Sequence, residues 1–220
     1  RFSMENYQNI LVVIDPTTNE QKALNRAIDL ASKVNASSEN KAKVSAFLCV
    51  FDFSYEMTTI LSGEERDVMR QSVIKDKEYW LKNFINDLKS DVEVECQVVW
   101  HNRPFEAIIE QVITQNYDLV IKSTHQHDKF KSVIFTPTDW HILRKCPCPV
   151  LLVKEHEWPN NGNIIAAVNV GSDEAEHHSL NVKITEEAKQ LAQLIQANIH
   201  LVNSFPGTPV NIAIEIPEFT

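Results

Sequence analysis

Glycine is scarce in this sequence. Only four glycines occur among 220 residues, and none lies between Gly63 and Gly162. A phosphate-binding loop uses glycine because its backbone amides must approach the phosphate oxygens closely, without a side chain in the way. The segment between these two glycines therefore excludes a glycine-rich phosphate loop.

Long apolar runs and an excess of positive charge are also missing. No run approaches the roughly 20 apolar residues of a membrane-spanning helix, so we expect no membrane partner. The formal net charge is −9, which argues against a nucleic-acid partner, because phosphate binding needs Lys and Arg concentrated on one face. The hydrophobic share of 43% and charged share of 23% are those of an ordinary globular chain.

Cysteine is too rare and too scattered for a disulfide framework, which favours a reducing, cytoplasmic location. The four cysteines are Cys49, Cys96, Cys146 and Cys148. The last two lie in a Cys-Pro-Cys-Pro segment, whose spacing differs from the C-x2-C of most metal or redox pairs. We interpret them as small apolar fillers before a buried strand, with metal or redox chemistry as the alternative.

Continuous apolar runs alternate with helical patterns, which is typical of a parallel sheet covered on both faces. The predicted strands are 9–15, 44–50, 92–100, 119–121 and 150–153, and the third, being more alternating, should lie near the sheet edge. The predicted helices are 19–34, 64–88, 104–116 and a last one from Thr136 or Thr138 to Lys145. This order predicts an α/β domain over residues 4–155, with a doubly wound five-stranded parallel sheet.

The pattern then begins again. Residues 156–162 form a polar segment with proline and glycine, which predicts a linker. Asn163–Asn169 repeats the character of Asn9–Asp15, and a helix and a second strand follow, so residues 163–220 look like the first part of a second copy. Two parallel strands and one helix cannot close a core alone. We expect this part to be a fragment, or to pack on the first domain or on another molecule.

Several segments resemble the universal stress protein family, in its tandem two-domain form. They are 7–15, 51–59, 100–109, 118–121, 135–141 and 144–153. The resemblance implies a sheet of order 3-2-1-4-5, like that of adenine-nucleotide hydrolases, and a second domain that continues after Thr220. It also implies a cytoplasmic stress-response protein that is not an enzyme. In agreement with this, the sequence contains no motif that indicates a nucleophilic triad.

Many members of that family bind ATP through a G-x2-G-x9-G-[ST] motif after the fourth strand. The resemblance places the motif positions at Ser123, Gln126, Thr136 and Pro137, so all three glycines and the final hydroxyl are replaced. Side chains crowd the approach of phosphate, and proline has no N–H to offer. We expect no ATP cofactor in the first domain; the alternative is an ATP site in the second domain, outside this chain.

The crevice at the carboxyl ends of the strands is the expected ligand site. Its candidate residues are Asp15, Val50, Lys122, Ser123, Thr124, Gln126, Thr136 and Pro137, around an apolar or sugar-bearing molecule other than ATP. Asp15 matches an acid that lies near the nucleotide in binding members, but a local turn or helix cap is the favoured interpretation. Lys122 replaces an apolar residue, and its ammonium should point to solvent or to an acid.

A second candidate site is a zinc site built from His125, His127 and Asp128. The favoured interpretation is a polar rim without metal, because H-x-H on an irregular loop is a weak pattern.

The last strand of the first domain is the expected pairing surface. The resemblance implies that Val150, Leu151, Leu152 and Val153 pair with the second domain of the same chain or with a second copy. An edge strand offers unpaired backbone groups to any such partner.

Overall fold

The computed structural model describes residues 7–57, 60–127, 130–154, 157–159, 161–171 and 175–203, with backbone alone for 125–127 and 130–134. The chain divides into two compact units, Arg1–Glu157 and Trp158–Thr220.

The first unit is built on a five-stranded parallel sheet. Its strands are β1 (Asn9–Val13), β2 (Lys43–Val50), β3 (Val94–Trp100), β4 (Leu119–Ser123) and β7 (Val150–Val153). Their order is β3-β2-β1-β4-β7, and every neighbouring pair is parallel. The prediction of a doubly wound sheet of order 3-2-1-4-5, with the third strand at an edge, is confirmed.

Helices cover the sheet, as the sequence pattern predicts. They are α1 (Lys22–Ser37), α2 (Phe53–Met57), α3 (Gly63–Asp87), α4 (Pro104–Gln115) and α5 (Pro137–Lys145). The central strand β1 is buried through Ile10, Leu11 and Val12, because helices cover both faces of the sheet. In α1 the buried residues recur at helical spacing: Ala23, Leu24, Ala27, Leu30, Ala31 and Val34.

Neither the short helix nor the hairpin of the first unit was predicted from the sequence. The short helix α2 and an antiparallel hairpin of β5 (His125–His127) and β6 (Phe130–Ile134) interrupt the expected loops. In the helix predicted over residues 64–88, the spacing of the apolar residues places Val68 on the inward face, yet Val68 is 70% exposed in α3. Only Leu81 is buried in the described residues of α3, because that helix meets the edge strand β3 rather than the middle of the sheet.

The second unit contains a partial sheet. Strands β8 (Asn163–Val168) and β9 (Asn198–Asn203) pair in parallel, and α6 (Ala175–Ile195) connects them. Ala188, Ala192 and Leu194 are the buried residues of α6. Residues 172–174 and 204–220 of the predicted second copy lie outside the described part of the chain, and so do residue 155 of the predicted first domain and residues 156 and 160 of the predicted linker.

Candidate functional site

A cavity of about 270 Å³ opens at the carboxyl ends of β1 and β4, where a doubly wound sheet binds its ligands. Most of its lining is apolar, with Lys122 and Asp15 as the charged members. The lining residues are Val13, Ile14, Asp15, Pro16, Cys49, Pro104, Ile108, Lys122, Ser123 and Thr138.

The structure brings together three of the eight predicted crevice residues, namely Asp15, Lys122 and Ser123. Four others are not among the lining residues, although each lies within two residues of one in sequence: Val50, Thr124, Thr136 and Pro137. Gln126 lies in β5, where the structure describes the backbone alone.

Asp15 bonds locally, as its position before Pro16 predicts. Its Oδ1 accepts hydrogen bonds from the backbone N–H of Thr17 at 2.9 Å and from the Thr17 hydroxyl at 2.6 Å. This pattern is an Asx turn, in which the side chain of an aspartate closes the loop two residues further on. The carboxylate therefore helps to shape the loop between β1 and α1.

Gln21 holds the same loop from inside, a role that was not predicted from the sequence. Its amide nitrogen donates to the carbonyl oxygens of Asp15 at 2.6 Å and Thr18 at 2.9 Å, and its Oε1 accepts from the Asp15 N–H at 3.1 Å. The residue is only 2% exposed. The sequence offered one indication of this role, a glutamine directly before the apolar stripe of α1. An amide side chain that is buried there must find its hydrogen-bond partners in the neighbouring loop.

Ser123 links the site to the beginning of α1. Its Oγ accepts a hydrogen bond from the backbone N–H of Ala23 at 3.1 Å. The residue that precedes α1, Gln21, makes no side-chain cap, so Ser123 satisfies an N-terminal amide from across the chain. Thr124 extends the pairing of β4 with β7, because its N–H and hydroxyl both donate to the Val153 carbonyl oxygen.

Lys122 forms an ion pair with an acid, which is one of the two arrangements that the sequence predicted for its ammonium. Its Nζ lies 2.7 Å from Oδ1 of Asp139, and the two side chains are 12% and 0% exposed. The ammonium also donates to the Ser123 carbonyl oxygen at 3.2 Å. Taking both charges out of water is costly, and the short contact and the additional hydrogen bonds offset that cost.

Asp139 also closes the beginning of α5. Its Oδ2 accepts from the Thr136 N–H at 2.7 Å and from the Thr136 hydroxyl at 2.9 Å. In return, the Asp139 N–H donates to Thr136 Oγ1 at 3.2 Å, which completes a capping box. Pro137, the first residue of α5, has no N–H. The positive end of this helix is thus occupied by the protein's own carboxylate.

A hairpin stands where the family motif would place its glycine loop. Gln126 of β5 pairs with Val133 of β6, and His125 pairs with Ile134. Backbone groups that pair across an antiparallel ladder are not available to a phosphate.

The side chains of the predicted zinc site lie outside the described part of the structure. His125 and His127 fall in β5, where only the backbone is described, and Asp128 is not among the described residues. Among the described residues, no group of three or more His, Cys, Asp or Glu side chains could hold a metal ion. The zinc site stays a prediction.

Cys49 lines the cavity as a neutral thiol. Burial raises its pKa to about 11, and its thiol donates a hydrogen bond to the carbonyl oxygen of His101. The thiolate is the nucleophilic form of cysteine, so this pKa argues against nucleophilic chemistry at Cys49 near neutral pH.

Comparison with known proteins agrees with this fold. A model of the "Universal stress protein family" matches residues 6–154. The chain is 50% identical over 221 residues to Universal stress protein E of Escherichia coli (strain K12), covering 98% of this chain and 67% of that protein. It is 49% identical over 219 residues to Universal stress protein E of Photorhabdus laumondii, covering 98% and 68%.

Solved structures show the same fold. A Pseudomonas aeruginosa protein assigned to the universal stress proteins has a TM-score of 0.64 at 27% identity, covering 93% of this chain and 64% of that one. A universal stress protein from Lactobacillus plantarum has a TM-score of 0.51 at 18% identity, covering 67% and 98%. In the part of the chain that the structure describes, no helix has the length and apolarity to cross a membrane.

Proposed function

This chain belongs to the universal stress protein family, and we propose that it serves the stress response by binding a small molecule, not by catalysing a reaction. The chain spans about two thirds of the length of its curated relatives, so the activity of the whole protein is part of the proposal. We place it in the cytoplasm, as its low cysteine content favours.

The observation that carries the proposal is the carboxylate of Asp139 at the beginning of α5. A helix N-terminus is a ready anion site because its first amides are unpaired and its dipole is positive there. In this chain Asp139 and Thr136 satisfy each other's amides, and Pro137 has none. A triphosphate would have to displace a fully buried carboxylate of the same sign. We infer that the first unit has a degenerate ATP site.

The same ion pair favours a neutral ligand. Lys122 is the cation nearest the cavity, and its ammonium is already bound to Asp139. An anionic ligand would compete with that carboxylate in a poorly hydrated environment, where separating the charges is expensive. The remaining walls, formed largely by valine, isoleucine and proline, suit an apolar molecule or an apolar part of a larger, sugar-bearing one.

Native mass spectrometry tests this proposal. The chain, purified gently, should carry a neutral small molecule that is released on denaturation and is not a nucleotide. Replacing Thr138, which lines the cavity, by phenylalanine should fill the space and remove that molecule. Leu143→Phe, on the exposed side of the same helix, is the matched control and should keep it. Release of ATP, or equal retention in both variants, would contradict the proposal.

A further inference from the structure

The Cys-Pro-Cys-Pro segment brings two thiols together where α5 ends. The sulfur atoms of Cys146 and Cys148 lie 3.6 Å apart. Both residues are free cysteines and are half-buried. The two other cysteines, Cys49 and Cys96, hydrogen-bond instead to backbone carbonyl oxygens.

The backbone holds this pair in place. Cys146 has extended dihedral angles, φ −68° and ψ 129°, as expected for a residue before proline. Residues two apart in an extended segment point to the same side of the chain. The Cys146 N–H donates to the Ile142 carbonyl oxygen at 2.9 Å, and both sulfur-bearing side chains pack against the core cluster around Ile108. The two thiols therefore stay close without a large loss of chain entropy.

We propose that Cys146 and Cys148 form a redox-active pair, which a low-molecular-weight disulfide of the glutathione class converts to an intramolecular disulfide. The Cys146 thiolate attacks one sulfur of the oxidant, and the first glutathione leaves as a thiolate. Cys148 then loses its proton and attacks the Cys146 sulfur, which expels the second glutathione. Two protein thiols are oxidised to one disulfide, the oxidant's disulfide is reduced to two thiols, and protons balance in solution.

The two thiols are suited to different roles. The hydrogen bond from Cys148 lowers the pKa of Cys146 to about 7, so much of Cys146 is thiolate near neutral pH. The same bond, together with burial and the nearby charge of Asp118, raises the pKa of Cys148. Cys146 is thus the attacking residue and Cys148 the resolving residue.

Peptide mapping of the full chain tests the pair directly. The reduced protein is treated with oxidised glutathione near neutral pH, quenched with acid, alkylated and digested with trypsin. Cleavage after Lys145 and Lys154 yields peptide 146–154, which holds both cysteines and no other. We expect this peptide to become lighter by two hydrogen atoms and to carry no glutathione, while Cys49 and Cys96 stay reduced.

Variants assign the two roles. Cys148→Ala should stop the reaction at a stable glutathione adduct on Cys146. Cys146→Ala should slow the loss of thiol from the segment by roughly threefold or more, since Cys148 is the weaker nucleophile. Cys96→Ala, which removes a free cysteine outside the cavity, should leave the result unchanged. A persistent glutathione adduct in the unmutated chain, an unreacted dithiol, or a disulfide between two molecules would overturn the proposal.

Discussion

Lys122 and Asp139 carry opposite charges into the interior of the first unit, and each is placed there by a different part of the chain. Lys122 is the fourth residue of β4, whereas Asp139 belongs to the first turn of α5. The sequence indicated that Lys122 would point to solvent or to an acid, but not to which acid. That choice depends on how β4 and α5 pack, which no local pattern encodes. By contrast, the Asx turn of Asp15 was predictable because both partners lie within two residues.

Replacing Lys122 by methionine should strongly destabilise the chain. The methionine keeps most of the apolar stem but leaves the buried Asp139 carboxylate without its cation, which costs about 3–5 kcal/mol in the free energy of unfolding. Urea denaturation measures this. The matched control is Lys33→Met, which breaks the exposed pair with Asp29 and should cost about 1 kcal/mol or less. Equal losses in the two variants would contradict the importance of the buried pair.

Alkylation of Cys146 should depend on pH with a midpoint of about 7. Only the thiolate reacts with iodoacetamide, so the rate should fall as the pH drops through this value and level off above it. Cys49, whose pKa is raised to about 11, should remain slow across the neutral range. In Cys148→Ala the hydrogen-bond donor is lost, and the Cys146 midpoint should move upward. Mass spectrometry of each peptide gives the alkylation rates. If the Cys146 midpoint does not move in Cys148→Ala, the hydrogen bond from Cys148 is not the cause of the lowered pKa.

At the scale of elements, the beginning of α5 was predictable and the segment before it was not. A threonine followed three residues later by an acid is a capping pattern, and Thr136 was one of the two caps that the sequence indicated. The hairpin of β5 and β6 was missed because its strands hold only three and five residues. The five-residue helix α2 was missed for the same reason. Such short segments do not establish a period.

Removing the cap of α5 should have a measurable cost. Thr136→Ala deletes the hydroxyl that accepts from the Asp139 N–H, and the free energy of unfolding should fall by about 1 kcal/mol. Thr136→Ser keeps a hydroxyl in the same place and should remain close to the original chain. Urea denaturation midpoints decide this; an alanine variant as stable as the serine variant would show that the cap contributes nothing.

For the whole molecule, the alternation of strands and helices predicted a doubly wound parallel sheet, and the family resemblance supplied the order of its strands. Because β7 lies at the edge of the sheet, one side of this strand has no partner strand within the sheet. The backbone N–H of Val120 donates to the Pro149 carbonyl oxygen, and the backbone N–H of Thr124 donates to the Val153 carbonyl oxygen. The backbone N–H and C=O groups of the odd-numbered residues of β7 therefore face β4. The backbone N–H of Leu152 therefore faces away from β4, towards any partner strand. We propose that two copies of this chain pair through β7.

Light scattering should show a dimer of this chain at micromolar concentration. Leu152→Pro removes an outward N–H without removing a bond between β4 and β7, and proline is tolerated on edge strands in that orientation. The variant should become monomeric while keeping its circular dichroism spectrum. A chain that is monomeric from the start, or a folded variant that remains dimeric, would argue against pairing through this strand.

Calorimetric titration of the intact chain with ATP and Mg²⁺ tests most directly whether the first unit has lost its ATP site. The self-capped beginning of α5 and the hairpin before it leave few backbone amides for a triphosphate. We expect no saturable heat below millimolar ATP. Micromolar affinity that is lost in Thr138→Phe but kept in Leu143→Phe would place ATP in this crevice and contradict the account.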